Sequence, residues 1–253
     1  METEEKDESF EISGAGRWII YPDDAEGQRS FLTAKLISTD VEKTTQRLNY
    51  QPGLVGEDME VEFDLSWPGG PREEILQLLD GNIGVRFGSG QLDDVEPGAG
   101  RVFGLMSVVA LPRRLSLDFQ DVFARGFGFD EISGNFRIVG GETFTCDLSL
   151  KGPAADIAII GQAGLASREY NQVAIVNASV GDTLPIVGAL VAGPTVGAAL
   201  LIFSQIFKKP LQGVGQVYYK IQGSWDEPTI ESTDGEAFAA AYEAAGCPSV
   251  AEE

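Results

Sequence analysis

Apolar and polar residues alternate most cleanly over 59–67. Met59, Val61, Phe63, Leu65 and Trp67 fall on one side of an extended chain, and Glu60, Glu62, Asp64 and Ser66 on the other. Successive strand side chains point to opposite faces, so this stretch predicts an antiparallel strand with one face buried. Shorter runs repeat the pattern at 17–20, 31–37, 83–87, 115–119, 136–138, 144–150, 157–159, 173–180 and 217–222. In the run 115–119, Leu115, Leu117 and Phe119 alternate with Ser116 and Asp118. In 144–150 the apolar series is Phe144, Cys146, Leu148 and Leu150, and in 217–222 it is Val217, Tyr219 and Ile221. Gly140-Gly141 and Lys151-Gly152-Pro153 fall between runs as turns. Short strands at this spacing, punctuated by glycine, predict an extended antiparallel sheet.

Helical signals are fewer. Thr39-Asp40-Val41-Glu42 reads as a capping box that opens a helix to about Asn49, with Val41, Thr45 and Leu48 on one side. Pro71 is expected to open a helix to Leu79, with Ile75, Leu78 and Leu79 inward and Asp80-Gly81 as its end. A short apolar helix is expected at 101–110 and an Ala-rich one at 236–246. The run 184–203 carries no charge. One straight helix of that length would reach across a bilayer core. Pro185 and Pro194 instead split it into two short helices, 184–192 and 194–207, closed by Lys208, Lys209 and Pro210. Leu190, Val191, Leu200, Leu201, Phe203 and Phe207 of this hairpin need cover, either from the protein's own sheet or from lipid. The resulting fold class is mostly β (α+β), with several short helices and a C-terminal helical hairpin.

Composition narrows the function. Among 253 residues the net charge is -21 and histidine is absent. An acidic surface repels nucleic-acid phosphates, so no nucleic-acid partner is expected. Without histidine the commonest general base and metal ligand are missing. The acidic residues Asp118, Asp121, Asp130 and Glu131 match no calcium loop and read as solvated or turn-forming, and no nucleophile has an identifiable base. No enzyme activity, cofactor or metal is therefore expected. Cys146 reads as a small buried hydrophobe and Cys247 as part of a tail, with no disulfide framework. Residues 1–9 are an acidic tail without the features of a signal peptide. Residues 10–232 form one module with the hairpin 184–209 inserted, and 233–253 form an Ala-rich acidic tail.

Several long segments carry a family resemblance. They are GAGRVFGLMSVVALPRRLSLDFQDVFARGFGFDEISGNF (98–136), LKGPAADIAIIG (150–161), SREYNQ (167–172), LPIVGALVAGPTVGAALL (184–201) and YKIQGSWDEPTIE (219–231). In this order they closely resemble the C-terminal region of YhdP-type proteins, within the bacterial AsmA-like superfamily. The resemblance implies a curved sheet with an apolar concave face, in a periplasmic part of an inner-membrane-anchored envelope protein. It implies phospholipid movement between inner and outer membranes and support of the outer-membrane permeability barrier. Phospholipid acyl chains would be the ligand, and the outer-membrane surface or an envelope protein a further partner. The groove would be lined by Phe63, Leu65, Trp67, Leu115, Leu117, Phe119, Leu148, Leu150, Tyr219 and Ile221. The hairpin, with Lys208 and Lys209 at its boundary, would cap the groove or meet a membrane. The competing expectation is a structural or docking module that holds no lipid. An acyl chain of roughly sixteen carbons costs on the order of 10 kcal/mol to expose to water, so it needs apolar cover and not a catalyst.

Overall fold

The computed structural model describes residues 10–21, 27–49, 53–70, 75–92, 127–153, 155–178 and 216–248. In chain order the strands are β1 (Phe10–Ile20), β2 (Gln28–Ser38), β3 (Leu54–Gly56), β4 (Met59–Pro68), β5 (Asp80–Phe87), β6 (Gly90–Leu92), β7 (Phe127–Phe129), β8 (Glu131–Val139), β9 (Glu142–Lys151), β10 (Ala155–Gly164), β11 (Glu169–Ala178), β12 (Gln216–Ser224) and β13 (Thr229–Thr233). The helices are α1 (Val41–Arg47) and α2 (Gly235–Ala244). Ten strands form one antiparallel sheet in the order β1-β2-β4-β5-β8-β9-β10-β11-β12-β13, and β3-β6-β7 form a second, small sheet. The large sheet is mostly a meander and is not closed.

Register decides what each face carries. Paired residues share a face, so the ladder can be followed from edge to edge. One row runs Gly14, Ala34, Phe63, Ile83, Phe136, Thr145, Gly161, Gln172, Ile221, Ile230. A neighbouring row contains Leu36, Val61 and Val85 near one end and Leu148, Ile159, Ala174 and Tyr219 near the other. These rows belong to one face, here called inner. Its buried side chains form one large cluster that extends to Leu54, Leu92 and Phe129 of the small sheet and to Val41 of α1. The small sheet and α1 therefore cover part of the inner face. A second cluster on the same face joins Leu65, Trp67, Leu79 and Ile138, and shares Phe63 and Ile83 with the first.

The series Phe144, Cys146, Leu148, Leu150 does not stay on one face. Ile159 and Gly161, two apart on β10, pair with Leu148 and Thr145, three apart on β9. This bulge switches the alternation. Thr143, Thr145, Leu148 and Leu150 point inward, while Phe144, Cys146 and Asp147 point outward. Asp147 is held on the outer side by Asn135, whose backbone N–H and side-chain amide both donate to its carboxylate at 2.8 and 2.7 Å.

Several local expectations change. Helix α1 is capped by Asp40, not Thr39: the Asp40 carboxylate accepts from the Lys43 N–H at 3.0 Å. That bond holds its carboxyl below the ordinary range. Val41 and Thr45 are buried, but Leu48 lies past the helix and is 51% exposed. Of the expected helix 71–79, residues 71–74 lie outside the described residues; Leu76–Leu78 form a 3-10 turn with Leu78 exposed rather than inward, and Asp80-Gly81 opens β5. Gly81 has φ +139, and a Cβ there would stand 2.0 Å from the Asp64 carbonyl oxygen, so its backbone belongs to the ladder. The first strand is longer than the run 17–20, and β13 carries no signal strong enough to be expected. The regions 101–110 and 115–119, the hairpin 184–209 and the tail 1–9 lie outside the described residues.

The largest correction concerns the cysteines. Cys146 and Cys247 form a disulfide, with Cα atoms 5.6 Å apart and 101 residues between them in sequence. It fastens the region after α2 to the outer face of β9. The Ala-rich helix expected at 236–246 is α2, capped by Asp234 through the Ala237 N–H, and it packs on the sheet instead of lying in a free tail. Phe238 and Tyr242 of α2 are buried against Ala158, Ile160, Val173 and Ile175. These apolar outer-face residues of β10 and β11 explain why a helix is needed there. Arg137 adds a bond to the Ala245 carbonyl at 2.9 Å.

Two outcomes test this arrangement. Leu65→Asp should destabilise by more than about 3 kcal/mol, since it buries an unpaired charge, whereas Asp64→Ser on the outer face should stay within about 0.5 kcal/mol. Equal thermal shifts would contradict the face assignment. Reduction, or Cys247→Ala, should lower stability by about 2–4 kcal/mol and open 235–247 to proteolysis before the sheet unfolds. Unchanged cleavage and melting would show that the disulfide does not fasten α2.

Candidate functional site

The inner face is the most unusual feature of the molecule. Across all ten strands every charged residue projects from the other face. Glu11, Arg17, Arg29, Lys35, Glu60, Glu62, Asp64, Asp80, Arg86, Glu131, Arg137, Glu142, Asp147, Lys151, Asp156, Glu169, Lys220 and Glu231 all alternate outward. The inner face holds aliphatic and aromatic side chains, glycines, and a few neutral polar groups. An unpaired charge there would be expensive, and none is present.

This face changes character along the sheet. At the β1 edge it is open: Ile12, Trp18 and Ile20 are 57%, 54% and 60% exposed. Leu32, Ala34, Phe63 and Ile83 of the next strands are only half-buried. Over β8 to β10 the cover is complete, and a cavity of about 20 Å³ remains beside Leu92, Ile132, Leu148, Leu150, Ile157 and Ile159. The expected lining residues Phe63, Leu65, Trp67, Leu148, Leu150, Tyr219 and Ile221 all stand on the inner face. Trp67 also donates its indole N–H to the Gly70 carbonyl at 3.1 Å. Leu115, Leu117 and Phe119, and the hairpin residues Leu190, Val191, Leu200, Leu201, Phe203, Phe207, Lys208 and Lys209, lie outside the described residues. The residues not anticipated are Ile12, Trp18 and Ile20 of β1 and the polar pair Thr145 and Gln172. Glycines at 14 and 16 obscure the period of β1, and a bulge precedes the change of face after Thr145.

The outer face is an ordinary solvated surface. Lys35 pairs with Glu60 and Glu62, Arg29 with Asp80, and Lys151 and Arg86 both with Glu131. An open cleft of about 450 Å³ runs between these ions, past Asp147 and Ser149. Each cation there faces a carboxylate, and Ser133, hydrogen-bonded to the Glu131 carboxylate and to Ser149, shares the lining. Among the described residues no group of three potential metal ligands converges. No helix among them is long and apolar enough to cross a membrane.

Comparison with known proteins agrees with the resemblance. The chain matches the family described as "YhdP protein" over residues 2–230. It is 30% identical over 220 residues to the intermembrane phospholipid transporter YhdP of Escherichia coli (strain K12). That alignment covers 87% of this chain and 17% of the relative, so the chain spans about a sixth of the relative's length. No solved structure matches. The chain belongs to the YhdP family. The match ends before α2, so the disulfide-fastened helix lies beyond the family region.

The ion pairs of the outer face predict an acid response. The Lys151 ammonium, 2.8 Å from Glu131, holds that carboxyl below its ordinary range against the opposing effect of burial. A depressed folded-state pKa stabilises fully above the unfolded carboxylate pKa, and the contribution disappears as pH falls through the folded value. Lys151→Met should therefore move the acid-unfolding midpoint, followed by circular dichroism, to higher pH. A midpoint unchanged or lowered would remove this pair from the account.

Proposed function

We propose that this member of the YhdP family is the C-terminal segment of an intermembrane phospholipid transport protein, and that its inner face shields acyl chains from water. The observation that carries this reading is the absence of charge from one face of ten consecutive strands, combined with exposure of that face at the β1 edge. An ordinary core would not leave Ile12, Trp18 and Ile20 uncovered together. In the longer protein the sheet continues beyond β1, and the apolar face passes from one segment to the next as one surface. The relative's name supplies the cargo class, phospholipid. The disulfide suits an oxidising compartment such as the periplasm, as part of an inner-membrane-anchored envelope protein. Movement of lipid to the outer membrane would support its permeability barrier. No chemical step is required of the protein.

The hairpin 184–209 is our candidate for the membrane-facing end, on the strength of its charge-free run and of Lys208 and Lys209 beyond it. A second reading has its own support. Over β8 to β10 the inner face is filled to about 20 Å³, which suits a cap that closes the groove or docks an envelope partner. The two readings assign different ends of one sheet, and crosslinking separates them.

A photoreactive residue placed at Leu32 or Phe63 on the inner face should capture phospholipid in cells, and one at Thr33 or Asp64 on the outer face should not. Lipid adducts of similar yield from both faces, or from neither, would overturn the conduit reading. Adducts to protein alone from the inner positions would leave the cap. Phospholipid co-purifying with the chain should be depleted by Phe63→Asp and retained by Asp64→Ser, as counted by mass spectrometry.

A further inference from the structure

Among the described residues, Thr145 Oγ1, Gln172 Nε2 and Trp225 Nε1 are buried polar atoms at the apolar inner face without a hydrogen-bond partner. Thr145 and Gln172 are each 1% exposed. Buried polar groups are normally satisfied, and each orphan costs about 1–3 kcal/mol. Asn177 Oδ1 is a further orphan, but it stands on the outer face. By contrast Thr143, the inner neighbour of Thr145, donates to the Ala163 carbonyl at 2.7 Å. The unsatisfied groups are thus a local property and not a general looseness of this end of the sheet.

Their placement is specific. Thr145 and Gln172 flank Gly161 in one cross-strand row. The two backbones stand two strand spacings apart, about 10 Å. The residue between them, Gly161, contributes no side chain to the row. Gly161 has φ +121, and a Cβ would come within 2.5 Å of the Asn171 carbonyl oxygen. Trp225, which packs on the same cluster, stacks on Tyr170 at 5.9 Å, and Tyr170 is the next inward residue from Gln172 toward the strand end. Thr145 and Gln172 are each the fourth residue of their strands. At about 3.3 Å per residue they lie roughly 10 Å inside the rim formed by the β8–β9 and β10–β11 turns. In the other direction their row continues through Phe136 to the half-buried Ile83, Phe63 and Ala34.

We infer that Thr145 and Gln172, with Trp225 beside them, form a neutral hydrogen-bonding seat for the ester carbonyls of a glycerolipid. This rests on the lipid-shielding reading and specifies which part of the lipid the face recognises. The three groups offer an O–H and two kinds of N–H to an acceptor. No strand residue on the inner face is a cation, and the nearest guanidinium, Arg168 at 5.8 Å over the Trp225 ring, is paired with Asp226 at 3.3 Å, so a phosphate or a free carboxylate at Thr145 and Gln172 would be buried without a free counter-charge. An ester carbonyl accepts hydrogen bonds and brings no charge. Its depth also fits. In a bilayer the headgroup zone adds about 5–7 Å to each side of the hydrocarbon, and the ester lies beneath it. A seat roughly 10 Å inside the rim lets a charged headgroup reach water while the tail follows the apolar row toward β4 and β2.

The test compares two lipids on the full chain: a diacyl phosphatidylglycerol and its dialkyl-ether analogue with the same headgroup and tail length. Both are presented in mixed vesicles, and captured lipid is quantified by mass spectrometry. The native chain should take the ester over the ether by about five- to tenfold, the value of one to two net hydrogen bonds. The double variant Thr145→Val, Gln172→Met should take both equally and melt no lower than the native chain, because it removes orphaned polar groups from an apolar site. Infrared spectra with ¹³C-labelled ester carbonyls should show the band shifted to lower frequency on the native chain only. Equal capture of ester and ether by the native chain would overturn the seat and leave lipid shielding intact. Capture of neither lipid would remove both readings. If the double variant fails to fold, the native preference and the carbonyl band decide the question alone.

Discussion

The structure depends on keeping charge on one side of a ladder. In a β-sheet a slip of one residue sends every side chain to the opposite face. Here such a slip would drive carboxylates and ammonium groups into an apolar surface ten strands wide. The penalty acts at every strand pair, so register is overdetermined, and hairpin turns such as Gly140-Gly141 reinforce it. The β9 bulge shows how strict the rule is. Leu148 would otherwise share the side of Phe144 and Cys146. One extra residue sends Leu148 inward while Asp147 remains outside against Asn135.

The two faces then take separate roles. The outer one carries the strands' charges and exchanges them in pairs with modest energetic effect. Where its own residues become apolar, at Ala158, Ile160, Val173 and Ile175, α2 covers them and a covalent bond fastens the helix end. The inner one is buried over its middle strands, where β3, β6, β7 and α1 join its cluster, and is most exposed at Ile12, Trp18 and Ile20 of the β1 edge. Exposure of this face is therefore uneven, lowest over the middle strands and highest along β1.

Much of this was legible in the chain. The alternation of 59–67 placed β4 and its faces, because each polar position there is charged or hydroxylic and each apolar one large. The β8–β9 hairpin followed from glycine chemistry. What resisted reading had physical causes. Strand β1 hides behind Ile12-Ser13-Gly14-Ala15-Gly16, whose small residues weaken any period. The β9 bulge is a backbone event, and local alternation continues smoothly through it. The disulfide joins residues a hundred apart, a proximity that only the packing of α2 creates. A helix was expected to run as far as Leu79, but Leu79 is extended and joins the cluster of Leu65, Trp67 and Ile138, and the chain enters β5 directly. Thr145 and Gln172 look like ordinary strand residues until their neighbours are known.

The cross-link between Cys146 and Cys247 also divides the molecule mechanically. A pull applied from the β1 side meets antiparallel strands that can be peeled one at a time, β1 from β2 and onward to β8. At Cys146 the path changes. Everything from there to Cys247 is a closed covalent ring, which transmits tension through two sulfur atoms and bypasses the enclosed strands β10 to β13. A load applied along the sheet would meet this difference directly. The far end would then behave as an inextensible anchor, while the near end yields strand by strand and re-forms.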